Sequence, residues 1–251
     1  MKTIGTLNES SLHETLKEMF TPPGAENEVA VGNYVCDILC ADNKIIEIQT
    51  ANVSSLHKKL SVLLKAYSVK VVFPIFENNF IRTFSVLDIQ ATDASTSEPT
   101  LIQKSFKKSP KHETFFSVFR ELTGVYPLFG HKNFSLHLVF ADIETVKIDD
   151  KKGRSRYGNA RIVDKKLLKI NREMTLVGLD DLVDPVLTQL PDQFSSKDVQ
   201  KLTNKKDAAF TLWVLRKCGV AVPCGKIGNR YRYTKADTVS LPQKIAKQQI
   251  Q

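Results

Sequence analysis

Residues 34–50 read YVCDILCADNKIIEIQT. Two apolar, β-branched-rich runs flank Ala41-Asp42-Asn43, which is the pattern of a β-hairpin. A turn centred on Asp42 sets position 37 opposite position 47. Alternation then puts Val35, Asp37 and Leu39 on one face of the first strand, and Ile45, Glu47 and Gln49 on one face of the second. Cys36, Ile38, Ile46 and Ile48 make the other face apolar, and Val35, Leu39 and Ile45 make the first face apolar too. A hairpin apolar on both sides belongs inside a sheet, so its acids go inside with it. Ionising two buried carboxylates side by side costs on the order of several kcal/mol. A divalent cation removes that cost, and an oxygen-rich site with two carboxylates suits Mg²⁺ or Mn²⁺.

The elements around the hairpin can be read by periodicity. Leu12, Leu16, Met19 and Phe20 recur at helical spacing over 10–20, and Thr21-Pro22-Pro23-Gly24 ends that helix. Residues 27–32 read as a strand before the hairpin. Residues 54–67 form an amphipathic helix on Leu56, Leu60, Leu63, Leu64 and Tyr67. VKVVFPI at 69–75 is a buried strand. The order is α-β-β-β-α-β. Ser, Thr, Lys and Pro dominate 96–111, which reads as a linker after a first domain over 1–95. Residues 112–178 form a basic α+β region, with a helix over 113–122, a strand over 134–148 and a glycine-containing basic loop at 151–161. Residues 179–237 carry three helical stretches followed by two strands around Gly225-Lys226-Ile227-Gly228-Asn229. Residues 238–251 read as a disordered tail.

That order, with Asp37 on one strand and Glu47-Ile48-Gln49 on the next, resembles the restriction-endonuclease-like superfamily, named for its PD-(D/E)XK motif. Asp37 and Glu47 match the two acids, and Gln49 stands where the family usually has a lysine. The resemblance covers about residues 8–90. It implies an α/β (α+β) fold with an αβββαβ core and a metal-dependent nuclease site holding Mg²⁺ or Mn²⁺ on Asp37 and Glu47. Gln49 would orient water or phosphate. Family members sometimes carry the lysine on the following helix. By helical angle Lys59 flanks the apolar stripe while Lys58 faces away, so Lys59 is either the relocated lysine or a solvated charge. The family also uses a glutamate from the first helix. Glu9 fits if Asn8 caps that helix, and a Ser11–Glu14 capping box is the competitor. Glu28, before the hairpin, is a further carboxylate.

Charge separates the two halves of the chain. Residues 1–98 carry 8 Lys and Arg against 12 Asp and Glu, and residues 99–251 carry 28 against 15, for net charges of −4 and +13. A basic surface draws polyanions by counterion release. Residues 179–237 resemble a winged helix, in which the third helix enters the major groove and the hairpin tip meets backbone. Phe210, Trp213 and Val214 read as core, leaving Lys205, Lys206, Thr211, Arg216 and Lys217 outside. Lys226 and Arg230 decorate the wing, with Tyr231 and Tyr233 inward. Arg154 and Arg156 lie in the basic loop, which is either a further phosphate-facing element or a solvated loop.

No apolar run reaches the roughly 20 residues of a membrane span, and MKTIGTLNESS lacks an apolar signal core. Four cysteines are too few for a disulfide framework. The expectation is a cytoplasmic, Mg²⁺-dependent DNA endonuclease whose basic C-terminal regions hold the nucleic acid, with a homodimer open to it. A non-catalytic DNA-binding or regulatory protein on the same fold is the alternative.

Overall fold

Tyr34–Leu39 (β2) and Lys44–Ile48 (β3) pair antiparallel, with Ile38 opposite Ile46 and Leu39 opposite Ile45. This is the register that a turn on Asp42 predicts. Asn43 closes the turn in the left-handed region at φ 57°, and Cys40 N–H donates to the Lys44 carbonyl at 2.8 Å. Glu26–Val31 (β1) lies antiparallel on the outer side of β2. β3 runs parallel to Ser68–Val86 (β4), with Ile45 beside Val69 and Glu47 beside Val71. Parallel neighbours need a crossover. Here it is a 3₁₀ turn at Val53–Leu56 leading into His57–Leu63 (α2).

The computed structural model describes residues 10–86, 101–150 and 160–236. Within them the main sheet follows the order β1-β2-β3-β4-β6-β7, where β6 is Phe134–Asp149 and β7 is Ala160–Leu176; Leu101–Lys108 (β5) also pairs with β4. The protein is mixed α/β with a large mixed sheet. The chain divides into two compact units, and they interleave rather than follow one another. One holds Met1–Met19, Phe76–Glu113 and Phe140–Arg172; the other holds Phe20–Ile75, Thr114–Val139 and Glu173–Gln251. Strand length explains the departure from consecutive domains. β4 has 19 residues, β6 has 16 and β7 has 17, against a usual five or six or so, so each of these strands serves both units.

The first unit contains most of Ser11–Phe20 (α1). Its Leu12 and Leu16 are fully buried, whereas Met19 of the expected stripe is exposed. Ser10, not Ser11, sits at the cap: its carbonyl accepts from His13 and Glu14, and the Ser11 N–H and Oγ both donate to Asp164, at 2.9 and 2.7 Å. The expected linker at 96–111 contains β5, paired with β4 from Phe80↔Lys108 to Val86↔Leu101. Its polar composition is that of a lysine-rich edge strand.

The second unit carries the hairpin, α2 and a C-terminal module. Residues 113–122 form a 3₁₀ helix at Phe115–Arg120 in place of an α-helix. The module consists of Leu179–Leu187 (α3), Gln193–Ser195 (β8), Ser196–Leu202 (α4), Lys205–Lys217 (α5) and the hairpin of Ala221–Ile227 (β9) with Arg230–Lys235 (β10). β8 pairs with β10, giving the order β8-β10-β9. Pro185 lies in the last turn of α3. Asn204 caps α5 through the N–H groups of Lys206 and Asp207, and Gly219 leaves it at φ 79°.

Candidate active site

Glu47 is 3% exposed at the centre of β3. Its Oε2 accepts from Lys59 Nζ at 2.5 Å, and the same ammonium donates to the Val35 carbonyl at 2.6 Å. Lys59 therefore ties α2 to both strands of the hairpin. Oε1 of Glu47 is buried and accepts no N–H or O–H hydrogen bond; the Cys36 thiol, a weak donor, lies beside the carboxylate. Burial pushes the Glu47 carboxyl above its ordinary range, the Lys59 ammonium opposes that, and the charge of Asp37 adds to it.

Lys59 is placed by the start of its helix. Val53 N–H donates to Glu121 Oε2 at 3.2 Å. A Cβ on Gly124 would lie 2.8 Å from the Ser54 carbonyl oxygen, so only glycine permits that approach. Ser55 N–H and Oγ both return to the Asn52 carbonyl, with Asn52 at φ 54°. The crossover is thus clamped from residues 121–124 before α2 begins.

Asp37 does not simply stand opposite Glu47. Backbone pairing of β2 with β3 is recorded at Ile38 and Leu39. Beyond it, Asp37 Oδ2 accepts the Ile48 N–H at 2.7 Å, so the carboxylate takes a ladder position. The strand outside is irregular at the same level. Pairs Asn27↔Ile38 and Val29↔Cys36 flank Glu28, which stands across from Asp37 at φ 57°. A left-handed glutamate costs roughly 1–2 kcal/mol. Such strain collects where function constrains the backbone.

Gln49 turns away: its Nε2 donates to the Ala51 carbonyl, and its N–H continues the ladder to the Val72 carbonyl at 2.9 Å. The cation that meets Glu47 is Lys59. Glu9, Arg154 and Arg156 lie outside the described residues. Among the described residues no cluster of three or more His, Cys, Asp or Glu has metal-holding geometry, so a cation at Asp37 and Glu47 would complete its shell with water or substrate oxygen. Sequence reasoning missed Cys36. Its thiol lies beside Glu47, fully buried, and burial plus that carboxylate push it up to about 11. Strict alternation assigned Cys36 to the far face, and the break in the ladder at Asp37 is what the rule does not see.

The family model described as "Domain of unknown function (DUF8091)" matches residues 10–177. The chain belongs to that family. It is also 35% identical over 233 residues to a protein of Treponema pallidum (strain Nichols) described as "Uncharacterized protein", covering 93% of this chain and 88% of that one. No solved structure matches. The DUF8091 match thus takes in β1–β3, α2 and the Asp37–Glu47–Lys59 group, and it ends before α3.

Beyond that match, Lys205, Lys206, Arg216, Lys217, Lys226 and Arg230 are all exposed, as expected. The phase of α5 differs from the expectation. Thr211 is fully buried with Oγ1 on the Asp207 carbonyl at 2.8 Å, while Phe210 and Trp213 are half-buried. The cause is Asp207, which is 2% exposed, pairs with Arg120 at 3.1 Å and accepts from Ser117 and Asn204. Pulling Asp207 inward against residues 115–120 rotates Trp213 into the basic face, where Tyr126 meets its edge and Lys217 covers its ring at 5.5 Å. On the wing Tyr233 is buried, but Tyr231 is 52% exposed under Lys226 at 4.5 Å. No described helix is long and apolar enough to cross a membrane, and Cys36, Cys40, Cys218 and Cys224 are free thiols.

Proposed function

We propose that the protein is a metal-dependent nuclease that hydrolyses phosphodiester bonds of DNA, with Asp37 and Glu47 as the cation-binding carboxylates. The observation that carries this reading is Glu47 itself. It is an acid buried to 3% exposure, with one oxygen satisfied by Lys59 and the other meeting no N–H or O–H donor, with the weakly donating Cys36 thiol alongside. Proteins rarely leave such an atom unsatisfied, and a divalent cation satisfies it. When bound, Mg²⁺ or Mn²⁺ would polarise a phosphoryl oxygen and acidify a water.

The chain's own residues do the rest. Lys59, fixed by Val35 and Glu47, supplies positive charge where a phosphorane-like charge develops. Ile48 N–H orients Asp37 through its Oδ2. The exposed cations of α5 and the wing neutralise DNA phosphates and set position without reading sequence. The compartment that fits free thiols and DNA is the cytoplasm.

The test is cleavage of supercoiled, linear, branched and single-stranded DNA with Mg²⁺ or Mn²⁺. Wild type cleaves at least one of them, and Asp37→Ala binds but does not cleave. Absence of wild-type cleavage on all four rejects the enzyme. One observation favours a second reading, a non-catalytic DNA-binding protein: the Lys59 ammonium already offsets the Glu47 charge. Electron paramagnetic resonance of Mn²⁺ separates the two, because only the nuclease broadens the free-ion signal in a manner lost with Glu47→Gln.

A further inference from the structure

The first compact unit bears an aromatic and basic sheet face that the nuclease reading does not use. Phe76, Asn78, Phe80 and Arg82 alternate along one side of β4. Phe80 pairs with Lys108 and Arg82 with Phe106 across to β5. The Phe80 and Phe106 rings stack, 5.9 Å between centroids and 9° between planes. The Arg82 guanidinium lies 4.6 Å over Phe106, Lys108 Nζ lies 6.0 Å from Phe80, and Lys165 Nζ lies 5.0 Å from Phe76. Phe106 is 50% exposed. The helix of this unit is on the other side, since α1 is held by Asp164, one residue from Lys165 and so on the opposite face of β7.

The acids on this face are already engaged. Glu144 takes Arg82 through two bonds of 2.6 and 3.2 Å, and Asp142 accepts from Asn78 and Asn171 at 2.7 and 2.8 Å. β5 itself has three lysines and no acid. What remains outward is aromatic surface bordered by cations.

We propose that this face binds single-stranded nucleic acid, with bases stacking on Phe106 and Phe80 and phosphates beside Lys108 and Lys165. A duplex keeps its base faces inside the helix, so a flat aromatic surface offers it nothing, whereas an unpaired strand presents both a ring face and a phosphate at each step. The glutamate–arginine pair fixes the guanidinium over Phe106, so the platform is formed before the strand arrives. A second copy of the chain adding to the β5 edge is disfavoured by Lys104, Lys107 and Lys108 along that strand. The proposal rests on nucleic acid being the ligand, not on cleavage.

The experiment is fluorescence anisotropy with labelled twenty-residue oligothymidylate, oligouridylate and a duplex of equal length. The full chain carries Asp37→Ala, so cleavage plays no part. Phe106→Ala weakens binding of the unpaired strand by about tenfold, the size of one lost stacking contact, and changes duplex binding less than twofold. Lys108→Ala lowers the salt slope for the unpaired strand by roughly 0.7. The two single-stranded probes show whether the platform prefers DNA or RNA. Phe106→Leu, which keeps apolar bulk without the ring, serves if the alanine variant melts early. Equal affinity of wild type and both Phe106 variants for the unpaired strands overturns the proposal. So does an equal loss on duplex, or a change in oligomeric state on size exclusion that accompanies the loss. Cleavage failing while this binding difference holds rejects the nuclease alone.

Discussion

Glu47 and Glu144 are both buried carboxylates facing one cationic side chain, and the protein treats them in opposite ways. Arg82 closes both oxygens of Glu144 with its fork and holds that carboxyl below the usual range. Lys59 meets one oxygen of Glu47, leaves the other open, and burial keeps that carboxyl above the usual range. An arginine fork is a structural answer to a buried acid. A lysine's point charge leaves capacity for another ligand. The open oxygen is the ground for proposing Glu47 as part of a site and Glu144 as part of a scaffold.

The sharpest way to break this contrast is by activity. Glu47→Ala is expected to lower Mg²⁺-dependent cleavage on the order of 10³-fold, about 4 kcal/mol of barrier, with near-wild-type DNA binding. Glu144→Gln is expected to stay within about tenfold in cleavage and instead to melt a few degrees lower. Parallel single-turnover cleavage and circular dichroism melts measure both. Equal loss of cleavage in two folded variants would mean that saturation of the carboxylate does not separate site from scaffold.

Legibility followed the same line. The hairpin register, the crossover helix, and the three helices and closing hairpin of the C-terminal module were readable from alternation and helical spacing, but the three-residue strand β8 between α3 and α4 was not, being too short to show a period. Lys59 was readable as one of two outcomes from its angle beside the Leu60 stripe. Three things were not readable, each because a polar side chain overrode a local pattern. Asp37 takes the Ile48 N–H, and Cys36 lies beside Glu47 although alternation set it on the opposite apolar face. Asp207 turns inward to Arg120 and Ser117 and rotates α5. Glu28 adopts φ 57° where nothing in ENEVAV announces it. The edge strand β5 was hidden for a different reason, since its lysines look like linker composition until β4 pairs with it.

The next effect is on stability. Lys59→Met removes the cation paired with the buried Glu47 and leaves an uncompensated charge, expected to cost about 3 kcal/mol at pH 7. Denaturant titration should show most of that loss recovered in the double variant Lys59→Met/Glu47→Gln, which has no charge to strand. If the single and double variants are equally unstable, Lys59 acts by packing and its methylene stem, and Glu47 is not the charge it guards.

The smallest effect is one of slope. For Glu47 the folded carboxyl lies above the ordinary 4.5, so the folded state holds a proton that the unfolded chain releases. Its contribution is complete below the unfolded value and is lost as pH rises through the folded one. For Glu144 the folded carboxyl lies below 4.5, so its contribution is present above the unfolded value and is lost as pH falls through the folded one. Relative to wild type, Glu47→Gln should therefore gain stability as pH rises above 4.5, whereas Glu144→Gln should lose it as pH rises toward 4.5 from below and stay level above that. Melts of the three proteins from pH 3 to pH 7 measure the difference, on the order of 1 kcal/mol per unit of displacement. Saturating Mn²⁺ should shrink the Glu47→Gln gain by stabilising wild type alone, because the cation takes the charge that burial penalises. A Glu47→Gln curve parallel to wild type, with or without Mn²⁺, would place Glu47 alongside Glu144 as a satisfied structural acid and remove the physical ground for a metal at this hairpin.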